Sequence, residues 1–191
     1  MNFGSWDIAV EIGKMPQKIA TAFSGLNETL TGAEYEAIAY IGSQVANGTN
    51  HAVLAKQTIV TGKDVENIVV LIFNEKKDDV TLVSIERILE SGATFGGINI
   101  DVQTDIPEEI EDMFMNAFEA YTGAAVTPYA LLGTQITKGV DYIFAATLST
   151  VALEPEEKAL IVTVNPMTKQ VAMADMLSNK HTASLKYAFT W

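Results

Sequence analysis

The chain contains no cysteine. Disulfide bonds, thiolate metal sites and a cysteine nucleophile are therefore excluded. No apolar run approaches the roughly 20 residues needed to span a bilayer. The first residues also lack a basic segment followed by an apolar one, so we predict no signal peptide and expect a cytoplasmic protein or a mature secreted form.

Basic residues are scarce. Twelve Lys and Arg stand against 24 Asp and Glu, giving a formal net charge of −12. An acidic surface repels phosphate groups, so we expect neither nucleic acid nor a membrane as a partner. No phosphate-binding loop, nucleophile elbow or zinc motif is present, so we predict no cofactor, no metal and no enzymatic activity. Hydrophobic residues make up 48% of the chain, which is ample for a folded core.

The two halves of the chain repeat one pattern. A shift of 91 positions aligns residues 16–80 with residues 107–171 without a gap. The matching positions are mostly apolar, glycine or turn residues, which a shared backbone would fix. They include the pairs Phe23 and Phe114, Gly42 and Gly133, Gln44 and Gln135, Gly48 and Gly139, and Asn74 and Asn165. Two repeats are too few for a solenoid, so we predict two tandem domains, 1–91 and 92–191.

Each copy predicts one helix followed by two hairpins. Apolar residues at spacings of three and four indicate helices from Ile12 to Leu30 and from Ile106 to Tyr121. Apolar runs separated by turn residues indicate the strands 37–45, 49–60, 68–73 and 80–89 in the first copy and 129–136, 140–151, 159–164 and 170–177 in the second. The fold class we predict is α+β, with one helix packed on a curved antiparallel sheet in each domain.

The first hairpin of each copy has a glutamine four residues before a glycine. The first copy reads Gln44-Val45-Ala46-Asn47-Gly48 and the second reads Gln135-Ile136-Thr137-Lys138-Gly139. With the order of elements, these segments resemble the Gln-x-Val-x-Gly hairpin of the cystatin family. Ala46 and Thr137 replace the central valine of that pattern. The absence of cysteine is typical of the stefin-like, disulfide-free branch, so the resemblance implies two tandem cystatin-like domains.

The resemblance also implies a function and a set of contact residues. Cystatins inhibit papain-like cysteine proteases through an N-terminal glycine, the tip of the first hairpin and a second hairpin. Gly4 would be the N-terminal glycine of the first copy, and Gly96 or Gly97 that of the second. The first hairpin tips would be the two segments quoted above, and Pro166 and Met167 would supply the second hairpin of the second copy.

Two functions remain open from the residues. The chain is either an inhibitor of papain-like cysteine proteases or a non-inhibitory protein-binding module, and the charged segment 75–78 favours the second. For the first copy, an inhibitory tip and a structural turn stay equally open. For the second copy we favour a structural turn, since Lys138 facing an apolar cleft would be desolvated at a cost. An enzyme or small-ligand carrier lacks a convergent polar cluster, and exposed sheet edges are compatible with a homodimer.

Overall fold

The computed structural model describes residues 4–12, 15–60, 65–77, 79–92, 96–178 and 187–191. The chain forms two compact units, Met1–Glu90 and Ser91–Trp191, called unit 1 and unit 2 below. Each unit has its own sheet and its own helix, so each is described by itself.

Unit 1 is a five-stranded antiparallel sheet with one helix. The strands lie in sequence order across the sheet, from β1 at one edge to β5 at the other. The helix connects the edge strand β1 to β2. The elements are β1 Trp6–Ile12, α1 Gln17–Thr29, β2 Ala33–Ala46, β3 Gly48–Ile59, β4 Val65–Lys76 and β5 Asp79–Glu90.

Unit 2 repeats this arrangement and adds a strand. Its sheet has the order β11-β10-β9-β8-β7-β6, and neighbouring strands are antiparallel. The elements are β6 Ile98–Gln103, α2 Glu108–Phe118, β7 Ala124–Thr137, β8 Gly139–Thr150, β9 Glu157–Asn165, β10 Gln170–Asp175 and β11 Tyr187–Thr190. Neither helix of the described chain is long and apolar enough to cross a membrane.

The predicted α+β class is wrong. The structure is 61% strand and 14% helix, so the fold of the residues that it describes is mostly β, with two antiparallel sheets. The error has a physical source in the edge strands β1, β6 and β11, which were not predicted from the sequence, and in the length of the central strands. Ile12, which we assigned to the first helix, is the last residue of β1, and the helix begins at Gln17.

Each helix packs its apolar side chains onto its own sheet. In unit 1, Ile19, Phe23 and Leu26 of α1 are buried against a cluster of strand residues that includes Phe73. In unit 2, Phe114 of α2 contacts the rings of Phe118 and Phe144, each at 4.8 Å between centroids. Burying one such side chain contributes about 1.5–3 kcal/mol, so these contacts fix each helix on its sheet.

Candidate functional site

Three segments of unit 1 lie together at one end of its sheet. Trp6 on β1 pairs with Gln44 on β2, and Thr49 on β3 pairs with Glu75 on β4. This register places the start of β1 and the turns of both hairpins along one end of the sheet. We call the three segments together, Gly4–Ser5, Val45–Gly48 and Lys76–Lys77, the unit 1 tip.

Side-chain amides hold the unit 1 tip together. The Nε2 of Gln44 donates a hydrogen bond to the carbonyl oxygen of Gly4 at 2.8 Å. Its Oε1 accepts one from Asn50 Nδ2 at 3.0 Å, and Asn50 Oδ1 accepts one from Asn74 Nδ2 at 2.8 Å. Each such bond contributes about 0.5–1.5 kcal/mol. Gln44 is therefore the link between the N-terminal segment and the first hairpin.

The glycine of the first hairpin is required by its surroundings. Gly48 has φ +109°, a conformation that favours glycine. A Cβ there would lie 2.6 Å from the carbonyl oxygen of Glu75 and 2.7 Å from Asn74 Oδ1. The second hairpin can approach the first this closely only because residue 48 has no side chain.

Unit 2 has the same link at its own end. The Nε2 of Gln135 donates to the carbonyl oxygen of Gly96 at 2.7 Å. Ile98 on β6 pairs with Gln135 on β7, as Trp6 pairs with Gln44 in unit 1. The unit 2 tip is defined as Gly96–Gly97, Ile136–Gly139 and Pro166–Thr168.

Asn165 organises the two hairpins of the unit 2 tip. Its Nδ2 donates to Asp141 Oδ1 at 2.5 Å and to the carbonyl oxygen of Lys138 at 3.2 Å. Its Oδ1 accepts the backbone N–H groups of Met167 at 3.0 Å and Thr168 at 2.8 Å. One buried side chain thus fixes the shape of the second turn and holds it against the first.

Met167 lies on the glycine of the first hairpin. A Cβ on Gly139 would lie 2.8 Å from Met167 Cβ and 3.1 Å from its Sδ. The rest of the methionine side chain faces solvent, with 69% of the residue exposed. The second hairpin of unit 2 therefore rests on the first and presents an apolar side chain to water.

The two tips differ in what they expose. Ile136 is 57% exposed in unit 2, where Thr137 and Lys138 are exposed too and Pro166 is half-buried. In unit 1, Val45 is 46% exposed, and the exposed residues beside it are Ala46, Asn47, Lys76 and Lys77. Unit 2 thus presents two large apolar side chains at its tip, and unit 1 presents one large apolar side chain and two lysines.

The candidate residues taken from the sequence therefore lie together within each unit. The hairpin motif identified both glutamines and both glycines but not Asn165 and Asp141. A signal for Asn165 was present, because it aligns with Asn74 in the repeat. Asp141 aligns with Asn50, but its role depends on contact with Asn165, which sequence spacing does not reveal.

The polar atoms of both tips largely satisfy one another. No group of three or more His, Asp or Glu residues is placed to hold a metal ion in the described part of the chain. A groove of 490 Å³ borders the unit 2 tip and is lined by strand residues that include Gln135, Asp141 and Asn165. The arrangement suits contact through exposed side chains on a fixed support.

No protein-family model matches this chain, and searches of the curated proteins and of the solved structures likewise return no match.

Replacing Asn165 with alanine should lower the free energy of unfolding by about 1–3 kcal/mol, because the buried amide and its partly buried partners lose their hydrogen bonds. Denaturant unfolding followed by circular dichroism measures the change. Asn116→Ala is the matched control, since Asn116 is exposed on α2 and should change stability by less than about 0.5 kcal/mol. Equal stability of the two variants would contradict the role assigned to Asn165.

Proposed function

We propose that this chain is a protein-binding module and that the unit 2 tip is its main contact surface. The observation that carries the proposal is the exposure of Ile136 and Met167 on two hairpins that Asn165 holds against each other. Hairpins whose backbone is already fixed lose little backbone entropy on binding, so more of the burial of their apolar side chains contributes to affinity. Full burial of each would contribute about 1.5–3 kcal/mol.

The partner we expect is a protein with an apolar cleft. A papain-like cysteine protease is the first to test, because the hairpin residues Gln135 and Gly139 and the N-terminal Gly96 resemble the contact segments of cystatins. A hairpin that fills the cleft without offering a peptide bond in a cleavable register would inhibit the enzyme. The net charge of −12 further favours a partner with a basic rim.

Titration of papain with the full chain tests this function. We expect the chain to bind papain and to inhibit it in proportion to the amount bound. Met167→Glu should weaken the affinity by about 10–100-fold, because it places a charge in an apolar contact. Met115→Glu is the matched control, since Met115 is exposed on α2. The proposal fails for this protease class if neither binding nor inhibition of papain-like enzymes occurs at micromolar concentration, or if both variants weaken binding equally.

A non-inhibitory binding function is the second candidate, and the composition of the unit 1 tip favours it. Lys76 and Lys77 are exposed where unit 2 has Met167 and Thr168. Lysines are poorly suited to a dry apolar cleft but suit an acidic partner surface. One result would favour this candidate: binding that survives Met167→Glu but weakens steeply as the salt concentration rises from about 50 to about 300 mM. Salt screens surface charges increasingly over this range.

A further inference from the structure

A chain of titratable side chains runs through unit 1 beneath its tip. His51 on β3 is only 7% exposed and lies against Tyr40 on β2 and Phe73 on β4. Its Nδ1 is 3.1 Å from the Tyr40 hydroxyl, and its Nε2 is 3.5 Å from Glu75 Oε2. The other carboxylate oxygen of Glu75 forms an ion pair with Lys18 near the start of α1.

The contacts define the proton positions of the neutral imidazole. A carboxylate only accepts hydrogen bonds, so the ring nitrogen that faces Glu75 carries the hydrogen. Nδ1 then accepts the hydrogen bond from the Tyr40 hydroxyl. Nε2 is buried and makes no hydrogen bond, because Glu75 stands at 3.5 Å while its other oxygen is held by Lys18. His51 and Lys18 therefore share one carboxylate.

The surrounding charges act on His51 in opposite directions. Burial lowers the pKa of His51 below its ordinary value of 6.5, and the Glu75 carboxylate opposes this while Lys18 adds to it. The hydrogen bond from Lys18 lowers the pKa of Glu75, so this group is an anion at neutral pH. Burial raises the pKa of Tyr40, and the remaining charges near it are Asp7 and Glu11 on β1. The phenol therefore stays protonated.

We propose that His51 is a proton-operated switch, in which protonation draws Glu75 away from Lys18 and loosens the start of α1 from the β4–β5 hairpin. The imidazolium ion donates from both nitrogens, so Nε2–H pulls Glu75 Oε2 from 3.5 Å into hydrogen-bond distance and turns the carboxylate away from Lys18, which binds its other oxygen. Nδ1–H must then donate to the Tyr40 oxygen, and the Tyr40 hydroxyl hydrogen must rotate away from the ring. Because Lys76 and Lys77 follow Glu75 on the same hairpin, the switch acts at the unit 1 tip.

Unit 2 lacks this chain of groups. At the positions of Lys18, Tyr40, His51 and Glu75, shifted by 91 residues, it has Glu109, Leu131, Tyr142 and Pro166. The same backbone layout is thus built there without the histidine, its acid partner or the lysine. Unit 2 is therefore an internal control for any pH effect in unit 1.

The direction of the pH effect follows from linkage. With the pKa of His51 lower in the folded state than its unfolded value of 6.5, the unfolded chain binds the proton first as the pH falls. Stability contributed by neutral His51 is therefore complete above pH 6.5 and is lost as the pH falls from 6.5 toward the lower folded pKa. The contribution of Glu75, whose pKa is also lowered, is lost only below its ordinary value of 4.5. The pH ranges in which His51 and Glu75 affect stability therefore do not overlap.

Imidazole NMR of the full chain tests the switch. His181→Gln leaves one histidine, whose signals then report His51 alone. We expect a titration midpoint below 6.5, moved up by Lys18→Gln, which frees Glu75, and moved down by Glu75→Gln. Because Lys18 is 77% exposed at its side chain, its replacement leaves the core intact.

Hydrogen exchange supplies the second readout. Amides of the β4–β5 hairpin should open more often as the pH falls from 7 to 5.5, by up to about tenfold per pH unit after correction for intrinsic exchange. The equivalent hairpin of unit 2 should not change, and His51→Gln should abolish the pH dependence. A His51 midpoint at or above 6.5, or a pH dependence that survives His51→Gln, would overturn the proposal. If His51→Gln does not fold, the NMR midpoints of the other variants decide the question, and neither readout involves a binding partner.

Discussion

Phe114→Ala should lower the free energy of unfolding of unit 2 by about 3–5 kcal/mol, the range measured when a buried phenylalanine is truncated. Phe114 is fully buried on α2, and its ring contacts those of Phe118 and Phe144. Removing it eliminates both aromatic contacts and leaves a cavity, and the surrounding strands cannot close that cavity without distorting the sheet. Since native domains are stable by only about 5–15 kcal/mol, this single change should bring unit 2 close to unfolding.

The neighbouring residue provides the control. Met115 follows Phe114 on the same helix but is 49% exposed, so Met115→Ala should change stability by less than about 0.5 kcal/mol. Urea unfolding followed by the near-ultraviolet signal and by circular dichroism separates the two outcomes. If Phe114→Ala were as stable as Met115→Ala, α2 would not be packed on the sheet as described.

The repeat explains why the hairpins could be predicted. Shared glycines and apolar runs mark the turns and strands twice, so β2 to β5 and β7 to β10 were located within a few residues. Five of these strands, β2, β4, β5, β7 and β9, were predicted too short, because most of their outer residues are polar or exposed. Val53 and Leu54 show a second limit: neighbours on one strand point to opposite faces, yet both are fully buried. Such a continuous apolar run is typical of a strand covered on both faces.

The edge strands were missed for a different reason. Trp6, Ile8 and Val10 alternate with Asp7 and Ala9, which is the period of a strand. The next apolar residue, Ile12, also fits the helical spacing that leads into α1, and it was assigned to the helix. A β-bulge between Ile8 and Glu11 then breaks the alternation. A short strand at a sheet edge carries too little pattern to decide between the two periods.

The candidate site shows what a motif can and cannot specify. The spacing of Gln44 and Gly48 located the hairpin, but nothing in that spacing indicates that Gln44 holds Gly4, 40 residues earlier in the chain. That contact depends on the β1–β2 register, which no local pattern encodes. The same holds for Gln135 and Gly96. Both glutamines bind backbone within their own unit, so their presence does not by itself separate an inhibitory hairpin from a structural one.

Gly42→Ala should detach β1 from the sheet of unit 1. A Cβ at residue 42 would collide with the carbonyl oxygen of Asp7 and come within 3.1 Å of Ile8 Cα. Both obstacles are backbone, so no side-chain rotation relieves them, and β1 must move away. We expect destabilisation of about 1–3 kcal/mol. The amides that β1 pairs with β2 should lose about fivefold to a hundredfold of their protection from hydrogen exchange, since about 1.4 kcal/mol corresponds to tenfold.

Gly25→Ala is the control for this change. Gly25 lies inside α1, and a Cβ at this position would meet no atom within 4 Å, so alanine should stabilise the protein by about 0.5–1 kcal/mol. Full protection of β1 in the Gly42→Ala variant would show that the edge strand tolerates the collision. That result would contradict the described register.

The equivalent change in unit 2 tests whether the N-terminal segment before β6 takes part in the proposed binding. Gly133→Ala creates the same collision with the carbonyl oxygen of Asn99, so it should displace β6 and release Gly96 from Gln135. Ile136 and Met167 remain in place because they belong to other strands and turns. If the N-terminal segment contributes to binding, this variant should weaken the affinity for the partner while Gly42→Ala leaves it unchanged. Equal binding by Gly133→Ala and the unmodified chain would confine the contact surface to the two hairpins.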